Sequence, residues 1–230
     1  MESVLLHQVP YQFSSSVRED KLLRDSFNQL ARLTYGFDFF AWRQSGLWTN
    51  GYQPHCLIAD GQVVANISVI RMAFCWEGRP LSMIQLGTVM TRPDFRGRGL
   101  SRYLMERILQ VYGGTVDLIY LFANHTVLEF YPKFGFSPVE ETLFSREMPA
   151  PSGEVPRRLD ADADFSLLLE MVQRGKPQGA FPMVGNRELS LFHLLGPYRD
   201  CLYLLPNLDV LAVAEYQGGS LLLWEVFSPQ

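Results

Sequence analysis

The chain has 230 residues, 47% of them hydrophobic, and 20 Lys and Arg against 24 Asp and Glu give a net charge of −4. That length holds one large domain or a domain with a smaller companion. The mild acidity argues against general nucleic-acid affinity, and no run approaches the ~18 uninterrupted apolar residues of a membrane span.

Three scattered cysteines, Cys56, Cys75 and Cys201, fit no disulfide framework. Met1-Glu2-Ser3 lacks the basic start and apolar core of a signal peptide, so the expected compartment is the reducing cytoplasm.

Residues 3 to 13 alternate loosely and predict an opening strand, which Pro10 keeps at an edge. Ser14 to Ser16 are expected to cap a helix through about Tyr35, with Leu23, Phe27, Leu30 and Thr34 on one face and Gly36 ending it. Residues 37 to 53 are rich in aromatics. Phe39, Phe40, Trp42, Trp48 and Tyr52 either line a substrate pocket or pack a second helix against the sheet. Asp38 either meets a cationic amine or is simply solvated.

Asp60-Gly61 between two apolar runs reads as a hairpin turn, and the second strand runs toward Phe74. Glu77-Gly78-Arg79-Pro80 turns the chain into a strand from Leu81 to Thr91. There follows Arg96-Gly97-Arg98-Gly99-Leu100-Ser101, a basic, glycine-rich loop. A helix begins inside it, with apolar positions at Leu100, Leu104, Ile108 and Val111. Glycines at a helix start let backbone amides face outward, where unpaired donors and the helix dipole favour an anion. Arg92, Arg96, Arg98 and Arg102 add local positive charge. The residues predict a phosphate cradle. No Gly-Lys-Ser/Thr follows the glycines, and no GxGxxG with a ribose-binding acid appears, which excludes two familiar phosphate loops.

The run from Val89 to Ser101 resembles the acyl-CoA-binding segment of the GNAT superfamily of N-acetyltransferases. That family's pattern, Gln/Arg-x-x-Gly-x-Gly/Ala, reads here as Arg96-x-x-Gly99-x-Ser101, with a small polar residue in the last place. A second segment is similar to the family's later motif. It consists of the strand Leu118 to Phe122, then Asn124 and His125, then a helix carrying Tyr131 and ending near Phe134-Gly135-Phe136. The resemblance covers about residues 55 to 148. It implies an α/β fold: a mixed, mostly antiparallel sheet flanked by helices.

The resemblance also implies roles. Amides of Arg96, Gly97, Arg98, Gly99, Leu100 and Ser101 would hold the pyrophosphate of acetyl-CoA, and Val89, Met90 and Thr91 would pair with its pantetheine arm. Asn124 would donate to and accept from that arm. Tyr131, seven residues on, would protonate the leaving thiolate from the same helix face. His125, Glu129 and Gln85 are weighed as general base, and none is assigned.

Past Phe136 a strand is expected to Met148, then a linker at Pro149 to Gly153. A helix from Asp160 to Gln173 carries Phe165, Leu168, Leu169 and Val172 on one side. A short helix covers Arg187 to Leu195, and strands follow at Leu202–Leu205, Val210–Tyr216 and Leu221–Phe227. The expected division is residues 1–150, an acyl-CoA-binding catalytic domain, and 151–230, a smaller α+β unit. The helix-then-strands order of that unit echoes the start of the first and admits a degenerate half-copy, as in tandem GNAT proteins.

His7, His55, His125 and His193 show no metal-ligand spacing with the cysteines, and no Gly-x-Ser-x-Gly elbow occurs. His55 and Cys56 are strand neighbours whose side chains face opposite ways. The reading is transfer of an acetyl group from acetyl-CoA to a primary amine of a small molecule or peptide, with no nucleic acid or membrane partner. Its alternative is a catalytically silent acyl-CoA-binding or regulatory module. Monomer and homodimer stay open.

Overall fold

The computed structural model describes residues 1–148, 153 and 155–229. Apart from Gly153, the expected linker lies outside these described residues. The chain clusters into two compact units, one of Met1–Ser137 with Ala180–Gly185 and one of Pro138–Gly179 with Asn186–Gln230.

In the first unit β1 (Glu2–Leu6) and β2 (Val9–Ser14) form an antiparallel hairpin where one strand was expected. His7 (φ 49°) and Gln8 (φ 65°) make its two-residue turn. Two successive left-handed residues match the twist of the flanking strands, and here no glycine signals them. Helix α1 (Lys21–Tyr35) starts later than Ser14–Ser16 suggested. Its cap is Asp20, whose Oδ1 accepts from the amides of Leu22 (2.9 Å) and Leu23 (3.1 Å). Gly36 closes it in the left-handed conformation, as expected. Leu23, Phe27, Leu30 and Ala31 are buried. Thr34 is exposed, its hydroxyl turned back onto the Leu30 carbonyl at 2.8 Å.

After α2 (Phe40–Gln44) come β3 (Tyr52–Ala59), β4 (Gln62–Trp76) and β5 (Arg79–Thr91). They form an antiparallel meander turned at Asp60-Gly61 and Glu77-Gly78. Phe39, Trp42, Trp48 and Tyr52 are each at most 6% exposed and pack with Phe27 at ring separations of 5.0–6.1 Å. They are core, not pocket lining, because large rings gain most from full burial. Phe40, which opens α2, is the exposed member. Asp38 pairs with Arg32 and accepts from the Phe40 amide at 2.8 Å where α2 begins, so it is not merely solvated.

Helix α3 (Leu100–Tyr112) buries Leu100, Leu104, Met105 and Ile108 against Leu57, Ile67, Val69 and Leu86. Val111 is 52% exposed, because the 3.6-residue repeat carries the stripe to the half-buried Tyr112 instead. Strand β6 (Leu118–Leu121) pairs parallel to β5 and is half-exposed rather than buried. The sheet order is β1-β2-β3-β4-β5-β6.

Two expectations past β6 fail. The segment after Asn124 is not one helix but two 3-10 turns, His125–Val127 and Tyr131–Phe134. Pro132 lacks the N–H an α-helix would need there, and its ring would clash with the Leu128 carbonyl. Residues 137–148 form no strand, and Val139, Leu143 and Phe144 are more than four-fifths exposed. Alternation in sequence does not supply a ladder partner.

In the second unit β7 (Arg157–Arg158) precedes α4 (Phe165–Arg174), which starts later than Asp160. Asp160 instead caps the preceding turn, accepting from the amides of Asp162 (2.9 Å) and Ala163 (2.8 Å). Leu168, Met171 and Val172 are buried on α4, whereas Leu169 is 38% exposed. The chain then returns β8 (Met183–Val184) to β4 of the first unit, where Phe181 stacks on Phe74. Helix α5 (Arg187–Leu195) and strands β9 (Leu202–Leu205), β10 (Val210–Gln217) and β11 (Ser220–Phe227) complete the second unit as an antiparallel sheet ordered β11-β10-β9-β7.

Candidate active site

The ladder between β5 and β6 runs from Met83/Leu118 to Leu86/Leu121 and stops where β6 ends. Strand β5 continues to Thr91. From Gly87 to Thr91 it therefore has no strand beside it on that side among the described residues. Backbone donors and acceptors with no ladder partner must be met by something else.

A bulge sets their direction. Asn66 pairs with Met90 and Ser68 with Gly87, so Thr88 and Val89 together stand opposite Ile67. Thr88 has φ 41°, a strained value for a β-branched residue. A buried network holds it there. Asn66 Nδ2 donates to the Thr88 carbonyl at 2.8 Å and to Ser68 Oγ at 3.0 Å. The Thr88 hydroxyl donates to Ser68 Oγ at 2.7 Å, the Tyr52 hydroxyl lies 2.7 Å from Thr88 Oγ1, and Cys56 Sγ donates to Asn66 Oδ1 at 3.2 Å. Burial pushes the Tyr52 phenol and the Cys56 thiol up, so both stay protonated donors.

Beyond β5 the loop leads into α3. Gly97 and Gly99 have φ of 74° and 77°, which glycine adopts without strain. Space beyond Gly97 is open where a Cβ would sit. The first helical bond runs from the Tyr103 amide to the Gly99 carbonyl at 3.0 Å, so the amides before Tyr103 precede the ladder. Leu100 is buried and anchors the helix start, and Ser101 Oγ sits 2.7 Å from Thr91 Oγ1, tying loop to strand. Arg96 reaches back to the Thr91 carbonyl at 3.3 Å, and Arg98 bonds the Asp94 carbonyl at 2.8 Å. Arg92 and Arg98 lie over the Phe95 ring. The donors fit a diphosphate.

Met90 is 1% exposed, so only its backbone is available to a ligand. The Val89 carbonyl accepts from the Tyr35 hydroxyl at 3.0 Å. Burial raises the Tyr35 phenol above its usual range, and charge on Tyr131 would raise it further. Val89 packs against the core cluster that includes Tyr131. Tyr131 is 7% exposed against Phe130 and Phe136, and burial raises its phenol too. Its hydroxyl makes no hydrogen bond among the described residues.

Asn124 lies at the surface, where its Oδ1 accepts from the Thr126 amide (3.1 Å) and hydroxyl (3.2 Å). It caps a turn. Because Pro132 breaks the segment, Asn124 and Tyr131 do not share one helix face, and their relation rests on the 3-10 turns. His125 and Glu129 are exposed, and Gln85 accepts from Tyr120 at 3.5 Å. Surface hollows of about 690 and 460 Å³ flank the N-terminal hairpin, and neither touches Arg96–Ser101. Amides at the surface need no enclosed cavity to hold phosphates.

Sequence reading missed Tyr35, Asn66 and Thr88. The signal was the pair Asn66 and Ser68, polar residues inside the apolar run Val63–Ile70.

Solved structures share the fold of the chain. The chain is 14% identical to a probable N-acyltransferase of Enterococcus faecalis V583, with a TM-score of 0.60 over 96% of this chain and 58% of that one. A Trypanosoma brucei acetyltransferase is 18% identical over 60% of this chain and 99% of that one, at a TM-score of 0.49. Glucosamine-6-phosphate N-acetyltransferase from Arabidopsis thaliana is 17% identical over 59% and 97%, at 0.46. A search of curated protein sequences finds no match. Residues 21–139, just over half of the chain, match the family model of the acetyltransferase (GNAT) domain, and the chain therefore belongs to the GNAT acetyltransferases.

Proposed function

We propose that the chain is an acetyl-CoA-dependent N-acetyltransferase acting on a primary amine of a small molecule or peptide in the cytoplasm. The observation that carries this reading is the edge of β5 that outruns β6 and leads into the glycine loop, with Val89 packed against the core cluster that holds Tyr131. Amides of Arg96 to Ser101 would bind the diphosphate. The bulged backbone at Val89 to Thr91 would orient the pantetheine arm, with Asn124 beside it. Acetyl-CoA supplies the thioester whose acyl group is transferred. Tyr131, kept protonated by burial, would give its proton to the departing sulfur. The second unit is read as accessory, a degenerate half-copy of the fold.

A catalytically silent acyl-CoA-binding module is the second reading. It is favoured by the exposure of His125 and Glu129, which leaves neither held in place as a general base. Calorimetric titration with acetyl-CoA, CoA and butyryl-CoA, followed by thiol release with an amine panel, separates the two. Binding with thiol release supports the enzyme, and binding with no release for any amine supports the module. No binding at millimolar ligand overturns both.

A further inference from the structure

The N-terminal hairpin lies before the residues that match the family model, yet it is built onto the loop. Glu2 accepts from Arg107 of α3 at 2.9 Å and 2.5 Å. Val4 and Tyr11 are buried in the core that α3 shares, and the Tyr11 ring meets the Phe95 ring edge-on at 6.5 Å. These contacts hold the hairpin turn beside the start of α3. The His7 Nε2 there lies 3.4 Å from the point a Cβ on Gly99 would occupy. The imidazole is exposed and makes no hydrogen bond among the described residues.

Three nearby arginines already spend part of their donor capacity on the protein. Arg92 forks onto Asp94 at 2.7 Å and 2.7 Å and also donates to Gln62. Arg98 and Arg96 are engaged by the Asp94 and Thr91 carbonyls. The His7 ring adds to the loop amides a side-chain donor at the helix start that bonds to nothing else among the described residues. Gly99 is the cap residue of α3, so its surroundings belong to the diphosphate end of the cradle.

We propose that His7 is a further ligand-contacting residue of this site, its Nε2–H donating to the diphosphate of the acyl-CoA, so that the N-terminal hairpin forms one wall of the cradle. The inference rests on the acyl-CoA reading above. A hydrogen bond to a charged oxygen is among the stronger kinds, and losing one lowers affinity by about tenfold.

The test is calorimetry on the full chain with CoA and with 3′-dephospho-CoA. His7→Asn keeps the left-handed turn, since Asn tolerates that conformation, and shortens the side chain. It is expected to weaken both ligands by about five- to tenfold, and His7→Gln, with a donor at similar reach, to recover most of the loss. Equal affinity of wild type and His7→Asn overturns the proposal while leaving the acyl-CoA site standing. A loss confined to CoA overturns it too, because the contact would then be with the 3′-phosphate. Wild-type protein that binds neither ligand removes the acyl-CoA reading itself.

Discussion

Gly99 stands at the junction of two constraints, a left-handed backbone and the amides that precede the α3 ladder, proposed above to hold the diphosphate. Gly99→Glu adds a side chain at φ 77° and a negative charge at the anion site, and it is expected to abolish detectable acetyl-CoA binding in calorimetry. Retained affinity would remove the loop from the site. Tyr131 is a different case, since its hydroxyl has no structural bond to lose. Tyr131→Phe should lower kcat by about 10²-fold while leaving the Kd for acetyl-CoA within about twofold. Wild-type turnover would exclude Tyr131 from the chemistry. Tyr11 carries the one buried side-chain polar atom without a partner among the described residues. A buried hydroxyl with no partner costs about 1–3 kcal/mol, so Tyr11→Phe is expected to raise stability by about 1 kcal/mol in urea unfolding. A destabilised variant would show that the hydroxyl has a partner after all.

At the scale of elements, the decisive feature is a strand made irregular by its neighbour. Asn66 of β4 clamps the Thr88 bulge of β5, and removing its amide leaves the Thr88 carbonyl and Ser68 hydroxyl short of partners in the interior. Asn66→Ala is expected to cost about 2 kcal/mol and also to weaken acetyl-CoA binding, because the strained turn at Thr88 relaxes. A stability loss with unchanged affinity would mean the bulge does not position the free edge of β5. Much of the fold was legible where one residue type has one use. Asp60-Gly61 marked its turn, Gly36 ended α1, and the arginine-glycine loop marked the start of α3. What stayed hidden depends on partners distant in the chain. The turn at His7-Gln8 lacks glycine and so read as continuous strand. The aromatic run could not say which of its faces would be covered. Nothing in the apolar stretch of β5 announces that Thr88 is the extra residue, because a bulge is a property of the pair of strands.

At the scale of the whole molecule, folding is coupled to pH through His55. This residue is 5% exposed, its Nδ1 lies 3.1 Å from the Gln53 carbonyl, and its ring meets Phe13 and Tyr112. Burial, reinforced by the charges of Arg71 and Arg107, lowers its pKa from 6.5 to about 4. Between those values the unfolded chain binds a proton that the folded chain refuses, so stability rises with pH and is lost as pH falls from 6.5 toward 4. The contribution lost between pH 7 and pH 5 is about 2 kcal/mol. Burial also lowers the pKa of His193 in the second unit, which pulls in the same direction. The total acid sensitivity therefore does not isolate His55, and a variant comparison does. Urea unfolding of wild type and His55→Phe at both pH values should show the variant less stable at pH 7 but losing about 2 kcal/mol less on acidification. Parallel losses in the two proteins would mean that His55 takes up its proton in the folded state, and that the sheet beneath α3 is wetter than its burial implies.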